Sequence, residues 1–143
     1  MTTVSKNFSL EMAHRLPSHG GLCKNIHGHS YKIRLTIEGD VSQDKNMVID
    51  YSDLTAIANT VFAKYDHSFL VEQNDTIMLN FLRQNDLRHV LLEKPSTAEN
   101  LCQIFADELI TKIKTHNNIH NLKIRVYETN NTYAEKQYNL INQ

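Results

Sequence analysis

Glycine is scarce in this chain: of 143 residues only four are Gly, and none falls in a G-x-G-x-x-G run or in a Gly-rich loop that would cradle phosphates. That argues against a Rossmann dehydrogenase or a P-loop ATPase. Cysteine is nearly absent too. Cys23 and Cys102 could in principle pair, but two cysteines make no disulfide scaffold, so a reducing, cytoplasmic setting is expected. Excess charge of either sign is missing, since 15 Lys and Arg against 16 Asp and Glu leave a formal net charge of -1. Such a balance gives no electrostatic footprint for nucleic acid or an anionic membrane. No run approaches the apolar length of a membrane span, and "MTTVSKNFSLEMAHR" has no apolar signal-peptide core. There is no repeat, linker or low-complexity stretch, and residues 1–143 are expected to form a single domain with a real hydrophobic core.

Against these absences stands the stretch "CKNIHGHSY", Cys23 to Tyr31. The run that follows it alternates, with Tyr31, Ile33, Leu35 and Ile37 on one side and Lys32, Arg34, Thr36 and Glu38 on the other. This is the pattern of a half-buried strand. Extended backward, the same parity puts His27 and His29 on the apolar face. An earlier strand, about Val4 to His14, carries Phe8, Leu10, Met12 and His14 on one parity. If the two strands are hairpin neighbours, His14 lies across from the His-Gly-His pair and three imidazoles meet at one point. Such a set suits zinc with an open fourth position, whereas each histidine singly would pass for an ordinary strand-end residue.

Further along, Leu54, Ile57, Ala58, Val61 and Phe62 recur at helical spacing, with Asp50 or Ser52 as N-cap. A second helix is predicted from "PSTAEN", where Ser96 and Glu99 form a capping box. Its stripe runs through Leu101, Cys102, Phe105, Leu109 and Ile113, which makes Cys102 a core residue. Between the helices, Thr76 to Leu92 is expected to hold a short helix and a short extended piece. The end reads as a hairpin, "LKIRVYE" and "TYAEKQYNL" joined by a two-residue Asn130-Asn131 turn. The predicted class is α+β: strands and helices in the order ββααββ, a four-stranded antiparallel sheet with two helices on one face.

Other residues bear chemistry with alternatives open. Cys23 is either a fourth metal ligand or a thiolate beside an open catalytic site. Asp66 and His67 are either an acid-base relay or a helix end with a cationic His favouring the dipole. Glu128 shares the inward parity of Leu122, Ile124 and Val126, so it either meets a heterocycle's N–H and amino group or turns to solvent at the strand end. His116 and His120 read as surface residues, and Arg15 and Lys24 are phosphate candidates only by charge and position.

Taken together, "FSLEMAHRLP", "CKNIHGHSYKI", "MVIDYSDL", "DHSFL", "PSTAENL" and "VYET" resemble the 6-pyruvoyl-tetrahydropterin synthase family over nearly the whole chain. The short gap between Cys23 and His27 is similar to that of the bacterial branch forming 6-carboxytetrahydropterin for queuosine biosynthesis. The resemblance implies the tunnelling fold, in which trimers close their sheets into a barrel and often stack as hexamers, with active sites between subunits. It implies that His14, His27 and His29 bind Zn2+ and that Cys23 is the general base. It also implies that Asp66 and His67 transfer protons and that Glu128 anchors the pterin, with Ser96 or Thr97 beside it. The implied reaction converts 7,8-dihydroneopterin triphosphate to 6-carboxytetrahydropterin, acetaldehyde and triphosphate. A pyruvoyl-forming sibling and a non-catalytic zinc-stabilised module are the alternatives. The segment from Val71 to Lys94 is longer than in compact bacterial members.

Overall fold

The computed structural model describes residues 1–141. Strand β1 (Thr2–His14) and strand β2 (His27–Gly39) form a long antiparallel ladder from Thr2 opposite Gly39 to His14 opposite His27. The 15–26 connection folds back through a single 3₁₀ turn, Leu22–Lys24. Helix α1 (Tyr51–Phe62), strand β3 (Ser68–Glu72), helix α2 (Thr76–Gln84), strand β4 (His89–Leu92) and helix α3 (Ala98–Ile113) follow. Strands β5 (Ile119–Tyr127) and β6 (Tyr133–Asn139) close the chain.

The α+β class holds, but the sheet has six strands in the order β4-β3-β1-β2-β5-β6 and is mixed. The four-stranded antiparallel sheet expected from the sequence is the β1-β2-β5-β6 portion alone. Strand β3 pairs parallel with β1 over Met12–His14, and β4 pairs parallel with β3. These strands escape alternation analysis for a physical reason. Ser68 to Val71 are buried in succession, so both faces of the strand are covered and no polar side remains.

The helices divide between the faces. The parity of β1 and β2 that holds Leu10, Met12, Tyr31, Ile33, Leu35 and Ile37 packs under α1 and α3 in one continuous core. A second cluster of Phe69, Val71, Met78, Leu79 and Leu82 packs against Ala13, whose parity is the opposite one. Helix α2 therefore covers the outer face, which corrects the expectation of helices on one face only. The short helix and extended piece expected within Thr76–Leu92 are α2 and β4.

Two local expectations also change. Helix α3 is capped by Thr97, whose hydroxyl accepts from the Asn100 N–H, so the chain enters the helix one residue later than the Ser96 capping box predicts. Tyr127 pairs with Tyr133, so the last hairpin turns through five residues rather than two. Neither Asn130 nor Asn131 has positive φ; the Thr129 and Thr132 hydroxyls close the loop at 2.8 Å instead. Asp50 caps α1 through the Ser52 N–H, one of the two caps expected. No helix among the described residues is long and apolar enough to cross a membrane.

Candidate active site

The ladder of β1 and β2 brings His14, His27 and His29 together on the core-facing parity at one end of the sheet. One ring nitrogen from each lies within 4.8 Å of those from the other two. His14 is buried, and its Nδ1 stands 3.0 Å from both the carbonyl and the hydroxyl oxygen of Ser96. The Nδ1 of His27 stands 2.8 Å from the Asn25 carbonyl. A carbonyl only accepts, so each ring in its neutral form spends its one N–H there and keeps a bare lone pair on Nε2. Those two Nε2 atoms stand 3.0 Å apart. Two lone pairs at that distance repel unless something electron-poor lies against them. The Nε2 of His29 is likewise buried without a hydrogen-bond partner, 4.0 Å from a Glu128 oxygen.

Burial works against a charge on two of the three rings. Burial, together with the charge of His27, pulls the His14 pKa down to about 4, against a partly compensating bond to Ser96. Burial also lowers that of His29, opposed by the Glu128 carboxylate. Three imidazoles converging through ring nitrogens are the donor set of a divalent transition metal, zinc above all.

Cys23 sits in the 3₁₀ turn of the connecting loop, where its carbonyl accepts from the Leu16 N–H at 2.8 Å. Its sulfur is not among the donor atoms clustered within 4.8 Å. It lines instead a cleft of about 270 Å³ together with Glu128, Thr97, His19 and Tyr133. Glu128 reaches the cleft because it follows the last ladder residue of β5, Tyr127, and leaves the sheet at the five-residue turn. Thr97 serves as the α3 cap and touches the cleft as well. His19 and Tyr133 carried no sequence signal, since nothing in their local pattern distinguishes a cleft wall from a surface loop.

Asp66 and His67 lie elsewhere. They follow α1 and enter β3 beside the outer-facing residues of β1, and His67 lines a separate cleft of about 430 Å³ with Glu11, Ser30 and Phe69. The pair is well built. Asp66 accepts from the Glu11 backbone N–H and from His67 Nδ1, each at 2.9 Å. The His67 N–H donates to the Glu11 carbonyl at 2.6 Å. The Glu11 N–H, together with the His67 ring and against the effect of burial, holds the Asp66 carboxyl below the ordinary carboxylate range. The cleft that His67 lines is also lined by His29 and is distinct from the one that Cys23 lines. Arg15 is engaged by Asp75 and is no free phosphate ligand.

Residues 3–138 match the family model described as 6-pyruvoyl tetrahydropterin synthase. A 6-carboxy-5,6,7,8-tetrahydropterin synthase of Haemophilus influenzae is 32% identical to the chain over 144 residues, covering 96% of this chain and 99% of that protein. A Rickettsia typhi protein of the same name is 25% identical, over 94% of this chain and 99% of its own length. Among solved structures, the 6-pyruvoyl tetrahydropterin synthase of Plasmodium falciparum superposes with a TM-score of 0.74 at 22% identity, covering 96% of this chain and 98% of that one. A family match of this extent, on a chain whose paired strands converge three histidines, leads to one assignment: the chain belongs to the 6-pyruvoyl tetrahydropterin synthase family.

Proposed function

We propose that this protein is a zinc-dependent carbon-carbon lyase that converts 7,8-dihydroneopterin triphosphate and water to 6-carboxytetrahydropterin, acetaldehyde and triphosphate, in the cytoplasmic route to queuosine. The observation that carries the proposal is the pair of bare Nε2 atoms of His14 and His27 at 3.0 Å, with the orphaned Nε2 of His29 beside them. The names of the full-length relatives favour the carboxy-forming branch. His14, His27 and His29 would hold the zinc, which when bound supplies Lewis-acid polarisation of substrate side-chain oxygens.

The chain's own residues do the rest. The Glu128 carboxylate accepts from the pterin's ring N–H and amino group, which fixes the ring in the cleft it shares with Cys23 and Thr97. Cys23, as thiolate, takes the proton from the side-chain carbon next to the ring, and that electron pair flows into the ring C=N. The redox change stays inside the substrate, consistent with a chain that has no dinucleotide fingerprint. Asp66 and His67 exchange protons with the side-chain oxygens as the carbon-carbon bond breaks and triphosphate leaves.

On one chain the Asp66–His67 pair does not share the Cys23 cleft, so a second copy supplies it. A homo-oligomer also answers the edge problem. Strand β3 pairs β1 at Met12–His14 and Asp66 and His67 take up the Glu11 backbone, which leaves Thr2–Leu10 an open edge, and β6 is the open edge beyond β5. Joining these edges between copies gives a trimeric barrel that stacks as a hexamer. A zinc-stabilised module without catalysis is disfavoured because the Cys23 sulfur lies outside the histidine cluster.

The test is to incubate the zinc-loaded protein with 7,8-dihydroneopterin triphosphate, identify the pterin by mass and assay acetaldehyde. Acetaldehyde with a carboxylated pterin is expected. A pyruvoyl pterin without acetaldehyde would move the chain to the sibling activity, and no turnover would sink the catalytic reading.

A further inference from the structure

Ser96 is one of the few buried polar residues among those described, at 2% exposure, and it lies 82 positions from the histidine it touches. The sequence pattern offers it an ordinary use as the cap of α3, but Thr97 takes that role. Shifting the helix start by one residue turns Ser96 away from the helix and toward His14, with both its carbonyl and its hydroxyl 3.0 Å from Nδ1. The Tyr31 hydroxyl lies 3.3 Å from Nδ1 and 3.4 Å from Nε2, a near-equal spacing that sets it over the ring face. His14 thus has its Nδ1 edge gripped and one face blocked, and only Nε2 is left free. His27, by contrast, takes its tautomer from a backbone carbonyl within its own loop, that of Asn25.

We infer that Ser96 is a positioning residue: its carbonyl accepts the Nδ1–H and its hydroxyl braces the same edge, and together they fix the tautomer and rotation of His14 so that Nε2 points at the metal position. A ring free to rotate or to take the other tautomer would present N–H where a lone pair is required, and loss of such an outer hydrogen bond typically weakens metal binding about 10- to 100-fold. The inference rests on the metal reading proposed above for its consequence, but the tautomer itself is observable without metal.

The experiment compares wild type, Ser96→Ala and Ser96→Thr. Zinc affinity is measured by competition with a chromophoric chelator, and the His14 ring ¹⁵N shifts are read in the metal-free proteins. In the wild type the shifts should show Nδ1 protonated and Nε2 bare. Ser96→Ala keeps the backbone carbonyl, so Nδ1 should stay protonated. Without the hydroxyl the ring is free to swing and zinc should bind about 10-fold or more weakly, while Ser96→Thr restores the affinity. An unchanged affinity in Ser96→Ala, or a wild-type ring protonated on Nε2, would overturn the inference. So would equal weakening in both variants with a parallel fall in metal-free melting temperature, because the serine would then only fill space. If the wild type shows Nδ1 protonated but no variant binds zinc, the hold of Ser96 on His14 stands and the metal reading falls.

Discussion

Arg15 grips both carboxylate oxygens of Asp75, with Nε and Nη2 each donating at 2.6 Å. The same carboxylate caps α2 through the Met78 N–H at 3.2 Å. One side chain therefore ties the end of β1 to the helix on the outer face. The Arg15 guanidinium holds the Asp75 carboxyl below the ordinary carboxylate range, against its burial. Asp75→Ala removes the cap and leaves the guanidinium without its partner, and is expected to cost about 2–4 kcal/mol near neutral pH. The sign of the pH dependence follows from the lowered pKa. The contribution is complete above the ordinary carboxylate range and is lost as pH falls through the depressed value. Urea unfolding of both proteins at pH 7 and in acid checks this: the gap between them should narrow as the pH drops.

How much of this was legible beforehand depends on which surfaces a residue meets. Alternation in "YKIRLTIEGD" betrays β2 because one face is buried and the other is wet, and carrying that parity back predicts that His14 meets His27. Strand β3 leaves no such trace because Ser68 to Val71 are buried on both sides. Ser96 and Thr97 both suit a helix cap, and what decides between them is a histidine 82 residues away. Similarly, no local pattern says that His67 lines a different cleft from Cys23. That follows from the parallel pairing of β3 with β1, a non-local choice.

Cys23 separates a catalytic site from a structural one. Its sulfur lies outside the histidine cluster, so Cys23→Ala is expected to retain zinc and its melting temperature. Turnover should fall about 10²- to 10⁴-fold, the usual worth of a positioned base. Metal analysis beside the steady-state assay decides it. Loss of zinc in the variant would make Cys23 a ligand after all.

Gly39 ends β2 at a register shift against β5. A Cβ added there would overlap the Asn118 carbonyl oxygen and stand 3.0 Å from the Ile119 Cα, both fixed backbone atoms. Asn118 cannot yield easily, since its side-chain amide donates to the Asp40 and Val48 carbonyls at 2.8 Å each. Gly39→Ala is expected to cost about 3 kcal/mol. Gly20, with nothing within 4 Å of its added Cβ, serves as the control. Gly20→Ala should leave the urea midpoint unchanged.

His67 has φ of 60°, a left-handed conformation in which a side chain other than glycine is strained. Its backbone N–H is tied to the Glu11 carbonyl at 2.6 Å, and its ring to Asp66, so the conformation is held from two directions. Glycine would occupy this position at no steric cost, whereas any Cβ costs about 1–2 kcal/mol. The imidazole is therefore kept against a stability penalty, as expected where a ring is needed for chemistry. Comparing His67→Gly with His67→Ala isolates that penalty, because both lose the ring and only one keeps the Cβ. His67→Gly should be the more stable by about 1 kcal/mol in urea unfolding. Both should lose turnover about 10²- to 10⁴-fold while keeping zinc. Equal stability of the two variants would mean that the backbone relaxes at no cost, and the strained turn would then be no sign of function.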